Sequence, residues 1–148
     1  MTEIRALEPS DEPAWRDLWT AYLTFYGAEV SQEVFETTFQ RLLSTSANEF
    51  NCRVAVQNGK LVGLVHYLSH RHCWQTTNVT YLQDLYITDT ARGTSAGRAL
   101  IEAVYSEADK AGCPKVYWLT QDFNATARRL YDRIGEVTPF IKYQRVLP

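Results

Sequence analysis

Tyr81-Leu82-Gln83-Asp84-Leu85-Tyr86-Ile87, followed by Thr88-Asp89-Thr90-Ala91 and Arg92-Gly93-Thr94-Ser95-Ala96-Gly97-Arg98, passes from an apolar and aromatic run through small residues into a helical pattern. The spacing predicts a strand over Val79 to Ile87, a loop over Thr88 to Ala96, and a helix from about Gly97 to Ala111. Leu100, Ile101, Val104, Tyr105 and Ala108 form the apolar face of that helix, and Gly112 and Pro114 stop it. A strand, a small-residue loop and a helix start make an anion site, because amides of the loop and first helical turn point outward together at the positive end of the helix dipole. The pattern is neither a Walker loop, which needs Gly-Lys-Ser/Thr, nor a G-x-G-x-x-G dinucleotide fingerprint. By itself the segment suits an ordinary strand-to-helix turn equally well.

On its C-terminal side, Lys115 to Thr120 reads as a strand and Asn124 as the cap of a further helix. Ala127, Leu130, Tyr131 and Ile134 share one side of that helix, with Arg128, Arg129, Asp132 and Arg133 on the other and Gly135 at its end. Ile141 to Val146 is expected to form a last strand. On the N-terminal side, Ile4 to Leu7 is a first strand, and Ser10 is placed to cap a helix bearing Trp15, Leu18, Trp19, Tyr22, Leu23 and Tyr26. After Gly27, Ser31 caps a second helix with Val34, Phe35, Phe39, Leu42 and Leu43. Asn58-Gly59 then joins the strand begun at Arg53 to Leu61–Leu68 as a two-residue hairpin, because a type I′ turn needs positive φ at both positions. Ser69 to Asn78 is a loop. The order is β-α-α-β-β-β-α-β-α-β, read as one domain over residues 1–148.

The 148 residues carry 15 Lys and Arg against 17 Asp and Glu, a net charge of -2, so the overall basic field that grips nucleic acid is missing. A small cationic substrate suits this charge better. No apolar run has the length of a bilayer span and Met1-Thr2-Glu3-Ile4-Arg5 is no signal peptide, so no membrane association and a cytoplasmic location are expected. Cys52, Cys73 and Cys113 lack the spacing of a disulfide framework or a zinc site, and His66, His70 and His72 lack an acidic partner in sequence, so no metal is expected.

Together, the strand, the Arg92-Gly93-x-Ser95-x-Gly97 loop and Asn124-x-x-Ala127-x-x-x-Tyr131-x-x-x-Gly135 resemble the coenzyme-A-binding core of the Gcn5-related N-acetyltransferase (GNAT) superfamily. Trp15-Arg16-Asp17-Leu18-Trp19, Asp84 to Ile87, Glu107 to Lys110 and Val116-Tyr117-Trp118 look like the yeast Hpa-type histone, polyamine and D-amino-acid acetyltransferases, and Tyr81 to Gly97 is also similar to spermidine/spermine acetyltransferases. The resemblance implies an α/β (α+β) fold with a mixed, mostly antiparallel sheet splayed at the coenzyme site. It implies acetyl-CoA as co-substrate and direct transfer of acetyl to the primary amine of a polyamine, amino acid or lysine-like acceptor.

By the same resemblance, pantetheine lies along Leu85, Tyr86 and Ile87, a backbone amide of that strand serves as an oxyanion hole, and the diphosphate rests on Arg92, Gly93, Thr94, Ser95, Ala96, Gly97 and Arg98. Asn124 and Ala127 face the pantetheine, and Tyr131 protonates the departing thiolate. Relatives pair through their C-terminal strands, which implies a homodimer.

Two positions depart from the family pattern. Ser95 stands at a glycine position, where a Cβ would be costly if the backbone needed positive φ. Gln83 stands where polyamine enzymes carry glutamate, and an amide is no general base. A water-mediated route is then expected, with Asp84 or a tyrosine such as Tyr81 assisting, but strict strand alternation puts Gln83 and Asp84 on opposite faces unless a bulge intervenes. Tyr26, Glu29 and Asp84 are candidates for steering a cationic amine, and equally plain surface or core residues. Ser95 and Gln83 keep open a coenzyme-binding chain without turnover, and a longer acyl group remains an alternative cargo.

Overall fold

A computed structural model describes all residues, 1–148. The hairpin at Asn58-Gly59 forms as expected, with φ of 50° and 76° at the two turn residues. It joins β2 (Asn51–Gln57) to β3 (Lys60–His70), and β1 (Glu3–Ala6), β4 (Val79–Ile87) and β5 (Val116–Tyr117) complete a sheet ordered β1-β2-β3-β4-β5. All pairs are antiparallel except β4 with β5, which is parallel.

α1 (Glu12–Phe25) and α2 (Gln32–Leu43) cover one face of the sheet, where Trp15, Leu18, Trp19, Phe39 and Leu42 pack on Cys52, Val54 and Leu64. α3 (Ala96–Lys110) covers the other, burying Ala96, Leu100, Ile101 and Val104 against Val65, Tyr67 and Leu82. α4 (Ala125–Ile134) lays Leu130, Tyr131 and Ile134 on the margin of this second layer. Two apolar layers on a sheet are what the alternating strands and one-sided helices demand.

Local chemistry corrects several boundaries. Ser10 does not cap α1; a 3-10 turn, Pro9–Asp11, precedes the helix, and buried Asp11 accepts from the Glu8 amide at 2.8 Å and from the Arg5 guanidinium at 2.7 and 2.9 Å. The bidentate ion pair ties the end of β1 to the start of α1. Ser31 does cap α2, its hydroxyl accepting from the Val34 amide.

The largest difference lies at the C-terminus. The strand expected over Ile141 to Val146 does not form: residues 136–148 are in neither helix nor strand, and Phe140, Ile141, Tyr143, Val146 and Leu147 are exposed. The reason is a missing partner, because β5 is paired only at Val116 and Tyr117 and offers a two-residue edge where Lys115 to Thr120 was expected. A hydrophobic run with strand propensity stays unpaired when no edge of matching length lies beside it.

Candidate active site

β4 and β5 diverge. β5 meets β4 at Thr80 and Tyr81 alone, so from Leu82 to Ile87 the outer edge of β4 has no strand beside it. A cleft of about 670 Å³ opens along that edge, lined by Leu85, Tyr86 and Ile87 of β4, the loop after it, and Asn124, Ala127 and Tyr131 of α4. Tyr22, Phe25 and Tyr26, from the end of α1, close one side.

The loop after β4 leaves several backbone amides free. Gly93 has φ 80° with open space where a Cβ would stand, and the chain then enters α3 with Ser95 at φ -82°. The left-handed residue is thus Gly93, and Ser95 occupies a conformation open to any residue. Arg92 and Thr94 amides close the local turn onto Asp89 and Ala91 carbonyls, and the Ala96 amide donates to the Thr94 hydroxyl. The amides of Gly93, Ser95, Gly97 and Arg98 donate to no protein acceptor. Four free N–H groups at a helix start, beside a cleft, suit a diphosphate.

Arg92, Thr94, Ser95, Gly97 and Arg98 line the cleft, whereas the Ala96 side chain is buried in the core beneath. Arg92 pairs with Asp89 at 2.9 Å and Arg98 with Glu102 at 2.7 Å. Asn124 caps α4, its side-chain oxygen accepting from the Ala127 amide at 3.3 Å, which leaves its NH2 group unengaged beside the cleft. Of the helix arginines, Arg133 lines the cleft; Arg128 instead donates to the Asp122 carbonyl.

Tyr131 sits at the junction of the cleft with Trp118, the rings 5.5 Å apart and edge to face. Burial, and then the nearby Tyr26 hydroxyl, push its pKa up to about 12. It holds its proton throughout the ordinary pH range, as a proton donor must before it acts.

A β-bulge intervenes at Gln83. His66 pairs with Asp84 while Tyr67 pairs with Leu82, so Gln83 is the extra residue of β4. Leu82 and Leu85, three apart, therefore face the same core layer, and Asp84 turns toward α1. Gln83 is exposed, and Glu29 is exposed outside the cleft lining. Asp84 is 8% exposed and receives two hydrogen bonds on Oδ2, from His66 Nδ1 at 2.9 Å and from Trp19 Nε1 at 3.2 Å. His66 Nε2 in turn accepts from Trp15 Nε1 at 3.0 Å. Burial first, and then the Asp84 charge, push the Tyr22, Tyr26 and Tyr81 hydroxyls upward, so three neutral phenols surround this carboxylate.

His66, Tyr22 and the two indoles were not legible as site residues. The available signal was Trp15 and Trp19 one turn apart on an apolar face, each with an N–H that needs a buried acceptor, and one acid in an apolar strand. His70 and His72 have other uses: His70 meets the Tyr117 hydroxyl at 2.7 Å and His72 accepts from the Trp74 amide.

The profile of the Acetyltransferase (GNAT) family matches residues 13–135. The D-amino-acid N-acetyltransferase HPA3 of Saccharomyces cerevisiae is 38% identical over 143 residues, covering 96% of this chain and 89% of its own. Among solved structures, a ribosomal-protein-alanine N-acetyltransferase from Brucella melitensis superposes with TM-score 0.81 at 17% identity, each chain covered to 99%. AAC(6')-Iy, in complex with the bisubstrate analog CoA-S-monomethyl-acetylneamine, superposes with TM-score 0.81 at 16% identity, covering 99% of each chain.

Proposed function

This chain belongs to the acetyltransferase (GNAT) family, and on that footing we propose that residues 1–148 act as one domain transferring acetyl from acetyl-CoA directly to the primary amine of a small molecule. The observation that carries this reading is the unpaired edge of β4, with free loop amides at one end; the Asp84 carboxylate lies outside the cleft lining, buried beside Tyr22 and Tyr26, which do line it. An amino acid is the first acceptor to try, because the yeast relative is named for D-amino acids. No helix is long and apolar enough to cross a membrane.

The residues present fit the coenzyme. Gly93, Ser95, Gly97 and Arg98 amides would hold the diphosphate, Leu85 to Ile87 backbone the pantetheine, and the Asn124 amide its carbonyl side. Acetyl-CoA supplies an activated thioester. The family's backbone oxyanion hole would lie on β4 near Leu85. A free alkylamine is mostly protonated at neutral pH, with a reference pKa of ~10.4, so a proton must leave before nitrogen can attack. Asp84 takes that proton through water, and its charge, ringed by Tyr22, Tyr26 and Tyr81, draws the ammonium in. As the new C–N bond forms and the C–S bond breaks, the attacking nitrogen would shed its second proton to water, while Tyr131 would give its proton to the sulfur and regain one from solvent.

The exposed apolar tail supports a homodimer in which residues 140–147 of each copy are covered by its partner. The test of the activity is free-thiol release from acetyl-CoA with D- and L-amino acids, spermidine, lysine and an aminoglycoside, beside calorimetric titration of the coenzyme. Release with an amine, abolished without it, supports the reading. Coenzyme binding with no release across the panel overturns the acetyl transfer to these acceptors, and no binding overturns the coenzyme site.

A further inference from the structure

We propose that His66 is a positioning residue for the reaction: together with Trp19 it holds Asp84 Oδ2, and so fixes the carboxylate in one rotamer behind Tyr22. The inference rests on the assignment of Asp84 as base and names what makes that carboxylate serviceable.

The tautomer of His66 follows from its partners. An indole nitrogen only donates, so Trp15 Nε1, at 3.0 Å, requires an unprotonated His66 Nε2. The ring proton is then on Nδ1, which donates to Asp84 Oδ2 at 2.9 Å. An imidazolium would set N–H against N–H at Trp15, so the ring is a poor place to receive a second proton while Trp15 stays where it is. Trp15 is fully buried, stacked on Trp19 at 5.3 Å and packed on Phe39 at 5.1 Å, and has no room to withdraw. The proton removed from an acceptor therefore stops at Asp84.

Oδ2 of Asp84 is occupied twice, by His66 and by Trp19. Both donors stand on rigid elements, β3 and α1, and both indoles come from one helix face. The bulge at Gln83 turns Asp84 into their reach, so the three features form one device. A base fixed to within a fraction of an ångström is what a transfer needs. The titratable groups that feel Asp84 are Tyr22 of α1, Tyr26 just beyond it, Tyr81 of β4 and Cys52 of β2, all pushed upward, chiefly by burial. None of them gains charge near neutral pH, so none of the four adds an acidic limb to the rate profile.

The experiment uses the full chain with His66→Leu, His66→Asn, Trp19→Phe and Asp84→Asn, measuring kcat, KM for acceptor and for acetyl-CoA, and kcat/KM against pH. In His66→Asn the side-chain NH2 stands near the place of Nδ1 and can still donate to Asp84. Expected for His66→Leu is a loss of about 10²-fold in kcat with KM for acetyl-CoA unchanged. Its acidic limb should move to higher pH, because a carboxylate stripped of a donor holds its proton more tightly. His66→Asn should restore most of the rate and the wild-type limb. A folded His66→Leu with wild-type kcat and limb overturns the proposal. Should His66→Leu not fold, Trp19→Phe carries the test: a limb moved upward supports the proposal, and an unmoved limb there overturns it. Asp84→Asn separates the two readings: full activity removes the base assignment itself, whereas an inactive Asp84→Asn beside indifferent His66 variants removes only the role of His66.

Discussion

Tyr81 and Tyr117 stack with ring centroids 4.8 Å apart and planes 14° from parallel, at the fork where β4 and β5 part. The stack is the last side-chain pair across the two strands before the cleft begins, and His70 braces it through the Tyr117 hydroxyl. Tyr117→Ala should lower stability by about 1 kcal/mol beyond lost area, or roughly 2–4 °C in Tm. Tyr117→Phe, which keeps the stack, should lose less. Thermal unfolding of the two variants checks the order.

Tyr131→Phe should reduce kcat by about 10²-fold or more, with coenzyme affinity nearly kept. Because burial holds Tyr131 up to about 12, wild-type kcat should show no fall from this group as pH rises to 10. A steady-state pH profile of both proteins is the measurement. A declining wild-type limb near pH 9 that vanishes in Tyr131→Phe would contradict the assignment.

Gly93→Ala and Ser95→Gly should behave oppositely to what the family glycine pattern suggests. Alanine at φ 80° strains the backbone by about 1–2 kcal/mol, which calorimetry would read as a weaker coenzyme complex. Ser95→Gly relieves no strain, since φ there is -82°, and should change affinity by only a few tenths of a kcal/mol.

Removing residues 136–148 should convert a dimer to a monomer by light scattering and raise solubility, because it deletes Phe140, Ile141, Tyr143, Val146 and Leu147, all exposed in a single copy. A full-length protein that is monomeric at every concentration would refute the dimer.

Asp11→Asn should destabilise the fold by about 1 kcal/mol at pH 7, discounting the partly exposed Arg5. The hydrogen bond from Arg5 is the largest cause that lowers the folded-state pKa of Asp11 below the reference 3.8. The stabilisation is therefore complete above 3.8 and fades as pH falls through the lower folded value. Urea unfolding of both proteins at pH 7 and pH 2.5 should show the gap closing in acid.

Helix faces, the Asn58-Gly59 turn and the strand-loop-helix after Tyr81 were legible because each depends on local spacing and local dihedral preference. Asn124 as a cap was legible for the same reason. The bulge at Gln83 was not, since nothing in Leu82-Gln83-Asp84 announces which residue will go unpaired; the register with β3 sets it. The His66–Asp84 contact joins residues on two strands and needs that register too. The last strand was overread because propensity reports what a segment would do beside an edge, and in one copy the edge is absent.

The extra residue in β4 gives the strand two phases, one running up to Leu82 and the opposite one from Asp84 onward. Chemistry here thus depends on a count as much as on identities. Excising Gln83 would leave every side chain of the proposed machinery in the sequence, yet the acid would have to choose between the indoles of α1 and its neighbours' seats in the α3 layer. Point substitution at Gln83 is cheap by comparison, because an exposed, unpaired residue contributes its backbone and little else. Along this strand, natural variation should therefore be free in letter at position 83 and unforgiving in length.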